Sequence, residues 1–250
     1  MKNWQCWGLL LGLGPLLWLQ GRWVRRVTPR LPEPPGPRAG EAGAGPLLRL
    51  LIAGDSAGAG VGADSQHAAL SGQLVQALAA HCTVRWQLHA VTGLDSLGLQ
   101  ALLHQLPAQP FDVAVLSVGV NDVTALVPPD TWLQRQAALA QLLAERFAVR
   151  TVVHSAVPPM HHFSALPQPL RACLGAWAQA MNRGLAHALQ ELPADAPVKR
   201  LLHLLDTGSE PLSPVQALAS DRFHPGPTAY AVWGQGLAQQ ILLSEGLQAP

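Results

Sequence analysis

Phe111-Asp-Val-Ala-Val-Leu-Ser-Val118 is the stretch that decides the fold of this chain. It is short, apolar on both faces through its middle, and closed by the turn Gly119-Val120-Asn121-Asp122, as expected of a strand buried on both sides. On either side lie segments of helical period, Leu94–Gln105 and Thr131–Phe147. Outside these come two more short apolar runs, Thr83–Val91 and Val149–Ala156. The alternation continues to both ends: strand Leu47–Ala53 and helix Gln66–Ala80 before, helix Leu170–Glu191, strand Arg200–Leu205 and helix Pro227–Ser244 after. Buried strands separated by helices imply a parallel sheet covered on both faces. The expected body is an α/β domain, a three-layer αβα sandwich on a five-stranded parallel sheet, running over residues 47–250.

Composition agrees with a globular body. With 49% hydrophobic and 12% charged residues the chain is no disordered segment. A net charge of +1 gives no electrostatic footprint for nucleic acid, so none is expected as a partner. Cys6, Cys82 and Cys173 are odd in number and lie in no ligand spacing. They support neither a disulfide framework nor a metal site.

The charge is unevenly spread. Residues 1–46 hold six basic and two acidic side chains, a net of +4, which leaves −3 for the rest. No charged residue occurs from Asn3 to Gly21, and Trp4, Trp7, Trp18 and Trp23 flank the apolar centre. That length is marginal for a bilayer-crossing helix, while the tryptophans suit an interfacial belt. Gln20-Gly21-Arg22-Trp23 offers no small-residue cleavage site, which argues against a removed signal peptide. Residues 1–27 are therefore expected as a membrane-anchoring segment, with an apolar helix lying on the body or at the membrane surface as the other reading. The arginines behind the segment favour the cytoplasmic side for the body, against an exported or periplasmic alternative. Residues 28–46, rich in proline and then glycine, read as a linker.

In open α/β sheets, function gathers beyond the carboxyl ends of the strands. Those positions carry Gly54-Asp55-Ser56, Thr92-Gly93, Gly119-Val120-Asn121-Asp122 and, before the last helix, Asp221-Arg222-Phe223-His224. A serine hydroxyl is a weak nucleophile until a base takes its proton. Histidine is suited to that role near neutral pH, and a carboxylate fixes its tautomer and stabilises its charged form. Asp221 and His224, three residues apart on one loop, can supply both. Ser56, in the turn between a strand and a helix, is expected to have its backbone N–H near the helix amino terminus, where the dipole favours a developing anion. The backbones of Ser56 and Gly93 and the side chain of Asn121 could converge on an acyl oxyanion. Asp55 and Asp122 read as braces of their turns, and His161-His162 as part of a proline-rich loop that lines the acyl pocket.

This combination resembles the GDSL, or SGNH, hydrolases. Gly54-Asp55-Ser56 looks like the family's first block, Gly93 sits where its second-block glycine would, Gly119-Val120-Asn121-Asp122 looks like the third block, and Asp221 with His224 looks like the fifth. The resemblance runs from about Leu47 to the carboxyl terminus. It implies a flavodoxin-like strand order and a serine esterase or lipase acting on carboxylic esters. Ser56 would be the nucleophile, His224 the base, Asp221 its partner, and Ser56, Gly93 and Asn121 the oxyanion hole. No cofactor and no metal are implied, and the partner is a small ester, an acyl ester or an acylated lipid or glycan.

Two other readings compete. Gly58-Ala-Gly60-Val-Gly62-Ala63 approximates a dinucleotide fingerprint, but Gly54-Asp-Ser-Ala separates it from the strand, and Thr83–Val91 ends in no acidic residue. A membrane-tethered module that binds lipid or glycan on the same fold is the other, and it would have no use for a base beside a serine.

Overall fold

A computed structural model describes residues 3–193, 195–205 and 214–247. The outermost residues of the expected anchor and body ranges, 1–2 and 248–250, lie outside it, as do the side chains of Trp4 and Trp7. After helix α1 (Asn3–Val27) come β1 (Ala39–Ala42), β2 (Leu47–Gly54), α2 (Leu70–Ala79), β3 (Thr83–Ala90), α3 (Ser96–Gln105), β4 (Val113–Ser117) and the short α4 (Val120–Thr124). Then follow α5 (Pro129–Phe147), β5 (Thr151–Ser155), a 3₁₀ turn at Met160–His162, α6 (Leu170–Gln190), β6 (Lys199–His203), α7 (Pro214–Ala217) and α8 (Pro227–Glu245).

The sheet order is β1-β3-β2-β4-β5-β6. Its five parallel strands run second, first, third, fourth, fifth, the flavodoxin-like order. The direction of winding therefore reverses between β2 and β4. Every predicted strand is present with ends within two residues of expectation.

Period-two alternation along each strand divides the core. Leu48, Leu50 and Ile52 of β2 join Val84, Trp86, Val113 and Val115 beneath α2 and α8. Leu51 and Ala53 point the other way, joining Ala114, Leu116 and Val152 beneath α3 and α5. A third apolar cluster lies around α6, with Trp132, Met160, Phe163, Trp177 and Met181. The helices stop where their sequences tell them to. Asp95 caps α3 by accepting from the Gly98 N–H at 2.8 Å. Pro227 opens α8, and Gly246 ends it at φ 67°.

Three features differ from the sequence reading. The sheet has six strands, because Ala39–Ala42, inside the stretch read as linker, pairs antiparallel with β3 at the sheet edge. Proline and glycine there mark a segment held by its backbone rather than a loose one: Pro34 and Pro35 carbonyls accept from Gln66 Nε2 and N at 3.3 and 2.9 Å. Secondly, α2 begins at Leu70 and not Gln66, because buried Gln66 spends its amide on Pro34 and on the Ala59 carbonyl. Thirdly, among the described residues no helix is long and apolar enough to cross a membrane. Helix α1 carries Pro15 within it and ends on Arg25 and Arg26.

Candidate active site

The site forms at the reversal point, beyond the ends of β2 and β4. Glycine is required at position 54 because a Cβ there would lie 2.3 Å from the Ser117 carbonyl oxygen of β4. The next N–H, of Asp55, donates to that same oxygen at 2.9 Å. The chain then turns sharply, and Ser56 follows at the sheet edge. Consecutive turns bring Ala59 N–H to Asp55 O and Val61 N–H to Ser56 O. The regular helix starts only at Leu70, and the glycine-rich run lies between it and Ser56.

His224 arrives from the loop before α8. Asp221 is buried, and its Oδ1 accepts the backbone N–H groups of Phe223 and His224, each at 3.0 Å. Its Oδ2 lies 2.5 Å from His224 Nδ1. An ionised carboxylate only accepts, so Nδ1 carries the proton and Nε2 presents its lone pair. That lone pair lies 3.0 Å from Ser56 Oγ. Burial pushes the Asp221 carboxyl up, but the bonds from His224 and Phe223 outweigh it and hold it below the usual range. The loop bends through Arg222 at φ 59°, and the Arg222 N–H donates to the Ala219 carbonyl at 2.9 Å.

The two loops touch directly. At Gly62 (φ 101°) a Cβ would meet the Pro225 carbonyl at 2.3 Å. Tyr230 Oη, on α8, donates to the Val61 carbonyl at 2.7 Å. The glycines that suggested a dinucleotide loop are thus packed against this chain's own residues. Gly60 meets Ala69 and Pro34 in the same way.

Asn121 sits in the first turn of α4, and its Nδ2 donates to the Leu94 carbonyl at 2.8 Å. An amide nitrogen has two protons, so one remains for another acceptor. Leu94 adjoins Gly93, which is exposed at φ 91°. The structure therefore joins Asn121 to the Gly93 loop, and Ser56 to His224 and Asp221. Among the described residues no hydrogen bond joins these two groups, and neither the Ser56 nor the Gly93 backbone N–H meets an acceptor.

The sequence profile of the GDSL-like Lipase/Acylhydrolase family matches residues 52–232. A GDSL-like esterase of Mycobacterium tuberculosis is 31% identical over 259 aligned positions, covering 96% of this chain and 81% of that protein. The chain belongs to the GDSL-like family. Solved structures share its fold. A lipolytic G-D-S-L family protein of Veillonella parvula superimposes with a TM-score of 0.56 at 13% identity, over 77% of this chain and 97% of that one. A carbohydrate esterase family 3 protein of Talaromyces cellulolyticus gives 0.58 at 12% identity, over 81% and 100%. The acetylxylan esterase Axe2 of Geobacillus stearothermophilus gives 0.51 at 18%, over 82% and 96%.

Beside Ser56 this GDSL-like protein has an apolar cavity of about 520 Å³. Val118, Val157, Phe163, Phe223 and Trp233 form much of its wall, with Ser56 and His224 at its edge. Val157, Pro158, Pro159, His162 and Phe163 place the proline-rich loop on the cavity. Phe223 and Trp233 were missed, and their aromatic side chains beside the Asp-x-x-His turn were the available signal. Leu94 was missed too, and it acts through its carbonyl, which no residue type announces.

The flanking acids brace. Asp122 is fully buried and accepts from Ser96 N–H at 3.0 Å, Ser96 Oγ at 2.6 Å and Arg135 Nη1 at 3.0 Å. Asp55 accepts from the Ala57 N–H at 3.0 Å, and burial pushes its carboxyl up to about 7. The rings of His161 and His162 lie 4.1 Å apart and tilted by 49°, and among the described residues no group of three His, Cys, Asp or Glu side chains is arranged to hold a metal.

Proposed function

We propose that this protein is a serine esterase that cleaves carboxylic esters through an acyl-enzyme on Ser56. The observation that carries the reading is the hydrogen-bonded row from Ser56 Oγ to His224 Nε2 and from His224 Nδ1 to Asp221. Ser56 Oγ attacks the ester carbonyl while His224 takes its proton, and Asp221 stabilises the imidazolium so formed. The carbonyl oxygen becomes an anion, met by the N–H groups of Ser56 and Gly93 and by the second amide proton of Asn121. His224 then gives its proton to the departing alcohol, which leaves the acyl group on Ser56. Water, deprotonated by the same imidazole, attacks that acyl group, and the acid departs with the serine restored.

The acyl group lies in the apolar cavity, where Phe163, Phe223 and Trp233 offer it hydrocarbon and no charge. A series of p-nitrophenyl esters of increasing acyl length tests this. Hydrolysis should be present in the unaltered protein and fall to background in Ser56→Ala, whose melting temperature should be unchanged. Full activity in Ser56→Ala would end the proposal.

A further inference from the structure

Helix α1 is fixed to the body by one face and leaves a second apolar stripe without a partner among the described residues. Leu17 and Val24 are buried against α6, with Leu13 beside them. Gln20 locks the rotation: its Nε2 donates to the Gln168 carbonyl at 2.7 Å, and its Oε1 accepts the Leu170 N–H at 3.1 Å. With that face committed, Leu16, Leu19, Trp23 and Val27 are turned outward. Their spacing of three, four and four residues puts them on one line of a helix. Leu19 is 58% exposed and Trp23 55%. A different outward line carries Trp18, Arg22, Arg25 and Arg26, and the Arg22 guanidinium lies 4.9 Å from the Trp18 ring centroid.

Charge complementarity identifies the occupant. Before Glu33 the chain has no acidic residue, while Arg22, Arg25, Arg26 and Arg30 follow one another closely; residues 47–250 carry −3. An anionic surface would attract this helix and repel the body. A helix with an apolar line, interfacial tryptophans and arginines on a neighbouring line suits the plane of a bilayer surface. No described helix is both long and apolar enough to cross. We propose that α1 lies flat in the headgroup region of an anionic membrane, with Leu16, Leu19, Trp23 and Val27 in the acyl boundary and the arginines at the phosphates. This interaction is independent of the chemistry at Ser56.

The test is flotation of the full chain with vesicles of phosphatidylcholine and of a phosphatidylcholine–phosphatidylglycerol mixture. The protein should float with the mixture and not with phosphatidylcholine alone. The triple change Arg22→Gln, Arg25→Gln, Arg26→Gln should weaken partition about 100-fold. Leu19→Ser with Trp23→Ser should weaken it by about tenfold or more. Both variants should keep the parent melting temperature, since these side chains are exposed. Salt gives a reading on the unaltered chain, which should be released as ionic strength rises. Absence of flotation with the mixture, or flotation indifferent to salt and to the arginine changes, overturns the proposal. So does light scattering showing a dimer that Leu19→Ser with Trp23→Ser renders monomeric, because the stripe would then belong to a second copy of the chain.

Discussion

In the proposed mechanism Ser56 has a base side, with Asp221 and His224, and a donor side, with Gly93 and Asn121, and the two are built in different ways. On the base side, acid and imidazole stand three residues apart in one loop, and the bonds that orient them are mostly internal to it. On the donor side, the groups come from two loops and are held from a distance. Asn121 is anchored on Leu94, and Asp122 gathers Ser96 and Arg135. Glu33, from the segment ahead of the sheet, accepts the Thr92 N–H and Oγ1–H at 2.8 Å each, next to Gly93. If the proposed mechanism holds, the base side rests on few residues within one loop, whereas the donor side rests on several drawn from separate loops.

The largest effect is expected on the base side. Asp221→Asn should lower kcat by about 10⁴, because an amide facing Nδ1 no longer favours the tautomer that leaves Nε2 free. Steady-state kinetics on a water-soluble ester checks this, and a loss below tenfold would remove Asp221 from the row. On the donor side, Asn121→Ala should lower kcat by about 10²–10³ with KM nearly unchanged, since the oxyanion exists only after attack. If that variant melts early yet turns over normally per titrated active site, the amide serves only the Leu94 carbonyl.

Glu33 sharpens the contrast, because it reaches the donor side only through Thr92. Arg38 Nη1 donates to it at 3.0 Å, and Arg38 Nη2 also donates to the Ala90 carbonyl. Partial burial pushes the Glu33 carboxyl up, but the Thr92 and Arg38 bonds outweigh it and hold it below the usual range. Glu33→Ala should lower kcat about tenfold at constant KM, with part of the loss restored in Glu33→Gln, which can still accept from Thr92. A change confined to melting temperature would make Glu33 a purely structural brace.

A further effect concerns stability against pH rather than turnover. Burial raises Asp55 from 3.8 to about 7, so between those values the folded protein keeps a proton that the unfolded chain releases. Stability from this group is full below the unfolded value and is lost as pH rises through about 7. The melting temperature of the parent should therefore fall from pH 4 to pH 8 more steeply than that of Asp55→Asn. Parallel curves would show that Asp55 holds no such proton.

The same contrast explains what the sequence disclosed. Buried strands announce themselves through Val113–Leu116 and Val152–Val153, and strand ends are where chemistry collects, so the parallel sheet and the row of Ser56, His224 and Asp221 were legible, while the strand order came only from the family resemblance. Asp221 and His224 share a loop, and their spacing alone allowed the contact. The donor side was legible only as residue types at the right strand ends. What positions it is backbone carbonyl to side chain, as at Leu94, or long-range, as between Glu33 and Thr92, and neither leaves a periodic trace. Residues 28–46 were misread for the same reason: composition reports stiffness, while the strand Ala39–Ala42 is made by pairing with β3.

A fluorophosphonate mass shift reports which oxygen attacks. One adduct per chain is expected, mapped by peptide sequencing to Ser56, absent in Ser56→Ala and sharply reduced in His224→Ala. An adduct on any other serine, or none in a folded protein, would contradict attack by Ser56.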